Sequence, residues 1–154
     1  MQRNLPIEEH PEILQEYGRA LAYINLVEAL LENIIRFSLD TKQPEFLDKI
    51  FSEMMLGKKI NTAESIIGKD VTKDLWKLNK ARITLVHGVT GIREKDDGSI
   101  RKGDLYIWHK SEIKPLTKDY LTKTTEKAKI ILSELFKIMN KIIKEKLKNP
   151  LLKE

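Results

Sequence analysis

Arg82 and His87 are the residues of this chain whose types and spacing could do chemistry. They stand as R-x-x-x-x-H in the stretch LWKLNKARITLVHG, from Leu75 to Gly88. Histidine changes protonation near neutral pH and can serve as general acid or base. Arginine offers a fork of donors to a phosphate and to the charge that grows on it in a transition state. In RNA the 2′-hydroxyl is a built-in nucleophile, so an arginine and a histidine could suffice for strand cleavage without a metal.

The element that must position them reads as a helix, with leucines at helical spacing and Gly88 where helices often stop. At about 100° per residue, Leu75, Leu78, Leu85, Val86 and Val89 fall in one sector. Arg82 points into the middle of that sector, where an always-charged group needs a partner or a purpose. Glu28, on the edge of the first helix's apolar stripe, is the candidate partner. His87 lies about 140° round the axis from Arg82. Trp76 and Ile83 lie close to the angle of His87 and form a second, narrower apolar strip. That strip suits a second copy of the chain, and about a two-fold axis two arginines and two histidines would line one cleft. Asn79 and Lys80, one turn before Arg82, are further candidates for phosphate or base contacts. The structural alternative for all of these residues is plain: Arg82 pairs with Glu28, His87 ends a helix, and Asn79 and Lys80 are surface.

The whole chain narrows the choice. Its 154 residues, 41% of them hydrophobic, suit one domain with a real core. A third are charged and only 6% aromatic, which favours lysine- and glutamate-rich helices over a β-sandwich. There is no cysteine, hence no disulfide and no thiolate nucleophile or ligand. Three histidines without ligand spacing do not suggest zinc, and no cofactor is expected. With no leader pattern and no membrane-length apolar run, the expected place is the cytoplasm. The net charge of +5 is uneven: residues 1–60 carry 7 basic and 10 acidic side chains, whereas residues 114–154 carry 11 and 5. Such asymmetry permits a nucleic-acid partner, although a lysine-rich solvated helix face explains it as well.

In chain order, the spacing predicts a long helix from about Glu8 or Pro11 to Leu39. A second, about Pro44 to Leu56, would bury Phe46, Leu47, Ile50, Phe51, Met54 and Met55 and end at Gly57. A short piece around Lys59–Ile67, closed by Gly68, leads to the helix of Arg82 and His87, capped by Asp70 or Thr72. Residues 89–110 read as an inserted β-hairpin turning at Asp96-Asp-Gly98-Ser. A last helix, about Thr117 to Lys148, carries a continuous stripe from Leu121 to Leu147. The expected fold is all-α: one domain over residues 1–154, an up-and-down four-helix bundle with a short extra helix and the hairpin.

A four-helix scaffold with Arg82-Ile-Thr-Leu-Val-His87-Gly88 at the end of its third major helix resembles the HEPN superfamily. The resemblance covers about residues 12–88 and 117–147, and its specific part is the Arg82–Gly88 segment. It implies homodimers with a composite Arg/His site and, in many members, metal-independent RNases of toxin–antitoxin, phage-defence or abortive-infection systems. By position, Arg82 would hold the phosphate and His87 would move a proton or position the substrate. The residue after the arginine is commonly polar in active members and is Ile83 here. Some relatives keep the fold as non-catalytic dimers that bind a nucleotide, a nucleic acid or a partner protein, and that is the alternative reading. An antitoxin protein is a possible partner under the first reading. Val89 stands where members modified by a nucleotidyltransferase antitoxin carry tyrosine, so an antitoxin of that kind is not implied.

Overall fold

A computed structural model describes residues 6–39, 44–94 and 100–148. The link at residues 40–43 and the turn residues Asp96 to Ser99 lie outside it. The chain is mostly helical. A short 3-10 turn (Pro6–Glu9) precedes α1 (Pro11–Ser38), α2 (Pro44–Glu53), α3 (Leu56–Ile67) and α4 (Lys69–His87). Strands β1 (Val89–Ile92), β2 (Leu105–His109) and β3 (Glu112–Pro115) follow, and α5 (Lys118–Lys148) closes the sequence of elements. Among the described residues, no helix is long and apolar enough to cross a membrane.

The backbone divides into two compact units, Met1–Ile24 with Lys80–Ala128, and Asn25–Asn79 with Lys129–Glu154. The first unit has a core of Ala20, Ile24, Leu85, Ile107, Leu116, Leu121 and Ala128, all essentially closed to solvent. Tyr17 of α1 donates its hydroxyl to the Leu85 carbonyl in the last turn of α4, and burial pushes its phenol pKa up. The second unit is built on Val27, Leu31, Ile34 and Ile35 of α1, Leu56 and Ile60 of α3, Leu75 of α4 and Leu135 of α5.

The sheet is more than the expected hairpin. β1 and β2 pair antiparallel, with Val89 opposite Trp108 and Ile92 opposite Leu105. β3 adds a third antiparallel strand, with Trp108 opposite Ile113 and His109 opposite Glu112. The two-residue connection from β2 to β3 puts Lys110 at a positive φ of 55°, and Pro115, expected only to precede the last helix, is the final residue of β3. The purely all-α expectation is corrected to this extent.

Several helix boundaries also differ from expectation, each for a local reason. Gly57 does not end α2. That helix stops at Glu53, Met55 adopts extended backbone, and Gly57 sits in the first turn of α3. A Cβ on Gly57 would stand 3.2 Å from the ring of Trp76, so the glycine makes room for an indole rather than a turn. Phe46 and Met55, placed inward by the α2 periodicity, are exposed, as is Leu147 near the end of α5. α4 begins directly after Gly68, whose φ of 84° suits its missing side chain. Asp70 therefore lies within the first turn, and Thr72 turns its hydroxyl back onto the Gly68 carbonyl instead of capping. Val86 and Val89, counted with the apolar sector of the fourth helix, are exposed, and Val89 already belongs to β1.

Candidate functional site at the end of the fourth helix

The last turns of α4 and the sheet meet through one glycine. Gly88 is the single residue between His87 and β1, and its amide donates to the Thr84 carbonyl at 2.8 Å. A Cβ here would fall 2.5 and 2.7 Å from Ile107 carbons, inside any real contact distance. The helix end is thus pressed onto β2, and a side chain at residue 88 would push His87 away from the strand.

Strand alternation decides what the helix end meets. Along β2, Leu105 and Ile107 are buried, whereas Trp108 is exposed. His109, two residues beyond Ile107, shares the inward face. Its ring lies 6.4 Å from that of His87, centroid to centroid, with the planes tilted by 34°. His109 Nε2 is buried and takes no hydrogen bond among the described residues. Such atoms are uncommon in folded proteins. Glu112, opposite His109 in the sheet register, continues the same face. Lys114 reaches it at 3.0 Å and Lys80 of α4 at 3.5 Å. The hydrogen bond and charge of Lys114, with the charge of Lys80 behind them, hold the Glu112 carboxyl below the usual carboxylate range.

Lys80, Thr84 and His87 follow one another along one face of α4. Thr84 is buried and bonds back to the Lys80 carbonyl, while Lys80 and His87 are exposed. Two imidazoles, a carboxylate and two ammonium groups therefore gather where α4 runs into the sheet. Such a set can move protons and hold an anion.

The remaining expected site residues are distributed as follows. Arg82 is half-buried with its Nε closed to solvent, and Ile83 is half-buried beside it. Trp76, in the second unit, rests its ring edge against Gly57 yet stays 41% exposed. Asn79 is buried in the same unit near Gly57. Glu28 accepts a 2.8 Å hydrogen bond from Lys59, a lysine that is itself buried. The residues that sequence reasoning passed over are His109, Glu112 and Lys114. His109 carried a usable signal, for it stands in phase with Leu105 and Ile107. Glu112 and Lys114 belong to a four-residue strand with no pattern of its own.

No protein-family model, characterised protein or solved structure matches this chain. The site is accordingly read from its own chemistry. Among the described residues, no group of three or more His, Asp or Glu side chains is arranged to hold a metal ion.

Proposed function

We propose that the protein is a HEPN-like, metal-independent endoribonuclease acting as a homodimer in the cytoplasm, the toxin of a toxin–antitoxin or phage-defence system. In this reading its long helices form the up-and-down bundle of that superfamily. Arg82 grips the scissile phosphate and stabilises its growing charge, and His87 transfers a proton. The observation that carries the reading is the exposure of His87 at the end of α4, with exposed Lys80 two turns earlier on the same face. A general acid–base group must reach its substrate, and His87 is open to one. Lys80 adds a point charge for the phosphate backbone, a salt-dependent contribution.

Arg82 and His87 leave the same helix about 140° apart, so one copy does not readily aim both at one phosphorus. A second copy laid along the Trp76–Ile83 strip would supply an arginine to the other chain's histidine. The experiment is RNA cleavage in EDTA by wild type, Arg82→Ala and His87→Ala. The reading expects wild type to cut and both variants to lose at least about 100-fold. Wild type that cuts no better than the variants, across several RNAs, removes it. The binding-only alternative draws on a different feature. Val89, Trp108 and Ile113 form an exposed apolar row across the sheet, and the residue after Arg82 is apolar.

A further inference from the structure

We propose that His109 is the second proton-transfer group of this site. His87 and His109 of one chain then serve the two protons of RNA transesterification. The proposal rests on the ribonuclease reading above and assigns a role to a histidine outside the R-x-x-x-x-H motif.

Three observations carry it. The rings stand 6.4 Å apart with nothing in their tilt to suggest stacking on each other. Two ring nitrogens that each approach an oxygen of the same phosphate within about 3 Å need roughly that separation. Next, both rings are held by backbone elements rather than loops. His87 is fixed by the Gly88 contact on Ile107, and His109 by its place as the last residue of β2. Lastly, the buried Nε2 of His109 costs stability without a partner that compensates it. An apolar residue in phase with Leu105 and Ile107 would pack there at no such cost, so the imidazole has a use other than folding. With Nε2 enclosed, Nδ1 is the nitrogen left to meet a substrate.

The step balances as an internal displacement. One imidazole takes the proton of the 2′-hydroxyl as its oxygen bonds to phosphorus. The other, as imidazolium, gives its proton to the 5′-oxygen as the P–O5′ bond breaks. The products are a 2′,3′-cyclic phosphate and a free 5′-hydroxyl, with no oxidant, reductant or co-reactant. The ionisable groups on the elements around the pair include Lys80 and Arg82 of α4, Glu112 and Lys114 of β3, and the Tyr17 phenol of α1, bonded to the Leu85 carbonyl two residues before His87. β1 has no titratable side chain, and the 3-10 turn packed on it brings the exposed Glu8 and Glu9.

The test compares wild type, His87→Asn and His109→Asn on two RNAs, one ordinary and one with sulfur replacing the bridging 5′-oxygen. A thiolate leaves without a general acid. Both variants are expected to lose at least about 100-fold on ordinary RNA. One of the two, and not the other, should recover most of that loss on the sulfur substrate. Its pH–rate profile should lack one limb of the wild-type bell, and the other variant's profile should lack the opposite limb. A merely structural role would lower both substrates equally and leave the profile bell-shaped. Thermal melts of each variant, with His109→Gln as a second substitution, separate misfolding from lost chemistry. Wild type that does not cut overturns the proposal together with the ribonuclease reading. Wild type that cuts while His109→Asn cuts equally well, or loses both substrates alike and keeps a bell-shaped pH–rate profile, overturns the role of His109 and leaves the reading standing.

Discussion

Lys59 Nζ of α3 lies 2.8 Å from a carboxylate oxygen of Glu28 of α1, in the second unit. The same ammonium reaches Glu32 at 3.1 Å, and Glu32 also takes Arg36 at 2.7 Å. Arg36 in turn meets Asp48 of α2 at 2.7 Å and lies over the ring of Phe51. Lys59 is buried and Glu28 and Glu32 are only partly exposed, so few waters reach this part of the chain of charges, whereas Asp48 at its far end is open to solvent. Removing the lysine leaves two carboxylates facing each other. Lys59→Ala should destabilise the protein by about 2 kcal/mol, read by urea denaturation, and Glu28→Gln by less. A variant as stable as wild type would show that water substitutes for the ammonium.

The same network sets a pH dependence. Burial raises the Glu32 carboxyl, but the hydrogen bonds and charges of Arg36 and Lys59 outweigh it and hold the group below its ordinary value. Its contribution is therefore present above the unfolded carboxylate range and is lost as pH falls below about 4. For Lys59, burial lowers the ammonium's affinity for its proton, and Glu28 and Glu32 more than restore it, so its pKa is raised. That contribution is present below about pH 10 and lost above it. The melting temperature should hold across neutral pH and fall on both sides. In Lys59→Met the alkaline fall should diminish.

At the C-terminal end of α4, Gly88→Ala would set a methyl group into Ile107. Overpacking of this kind costs about 1–3 kcal/mol. The consequence extends beyond stability, because the methyl levers the helix end away from β2 and opens the 6.4 Å spacing of His87 and His109. The variant should lose cleavage at temperatures where it is still folded by circular dichroism. Adding Ile107→Ala, which removes both clashing Ile107 carbons, should return part of the lost cleavage, while the Thr84 carbonyl pressed against the methyl keeps the recovery incomplete.

Gly57 gives the opposite sign. It occupies a helical position, where alanine is preferred by about 1 kcal/mol, and its neighbour is the edge of a partly exposed indole at 3.2–3.3 Å. Trp76 can yield outward, since 41% of it is already open. Gly57→Ala should therefore be neutral or slightly stabilising, with Trp76 emission shifted to the red. A loss above about 1 kcal/mol would mean that the indole is pinned.

The helices were legible because their apolar spacing is long and regular. The α1 stripe and the run from Leu121 to Ile143 needed no tertiary information, and Gly68 marked its helix end through a backbone angle open to glycine. The failures have physical causes. Gly57 and Gly88 look alike in sequence as helix stops; Gly88 does stand directly after α4, but Gly57 lies in the first turn of α3 beside the Trp76 ring, which only packing reveals. β3 is too short to carry a period, so Glu112 and Lys114 could not be placed. Lys59 sits within an apolar stripe and its burial depends on Glu28 and Glu32, a contact 31 residues apart for Glu28. Arg82 and His87 could be named from spacing, but the histidine that lies beside His87 comes from a strand 22 positions further on.

The composite site and the histidine pair make different demands on a dimer, and mixing variants separates them. If Arg82 acts on the partner's histidines, Arg82→Ala mixed with His87→Ala should regain activity. The mixed dimer holds one chain with Arg82 intact and one with both histidines intact. If His87 and His109 work as a pair within one chain, His87→Ala mixed with His109→Asn should stay inactive, because neither chain holds both rings. The expected pattern is thus recovery in the first mixture and none in the second, measured after unfolding and refolding the chains together. Recovery in both would place the two histidines in separate chains, against the 6.4 Å spacing inside one. Recovery in neither would place Arg82 and His87 of the same chain on one phosphate, and the two-fold arrangement along Trp76 and Ile83 would lose its reason.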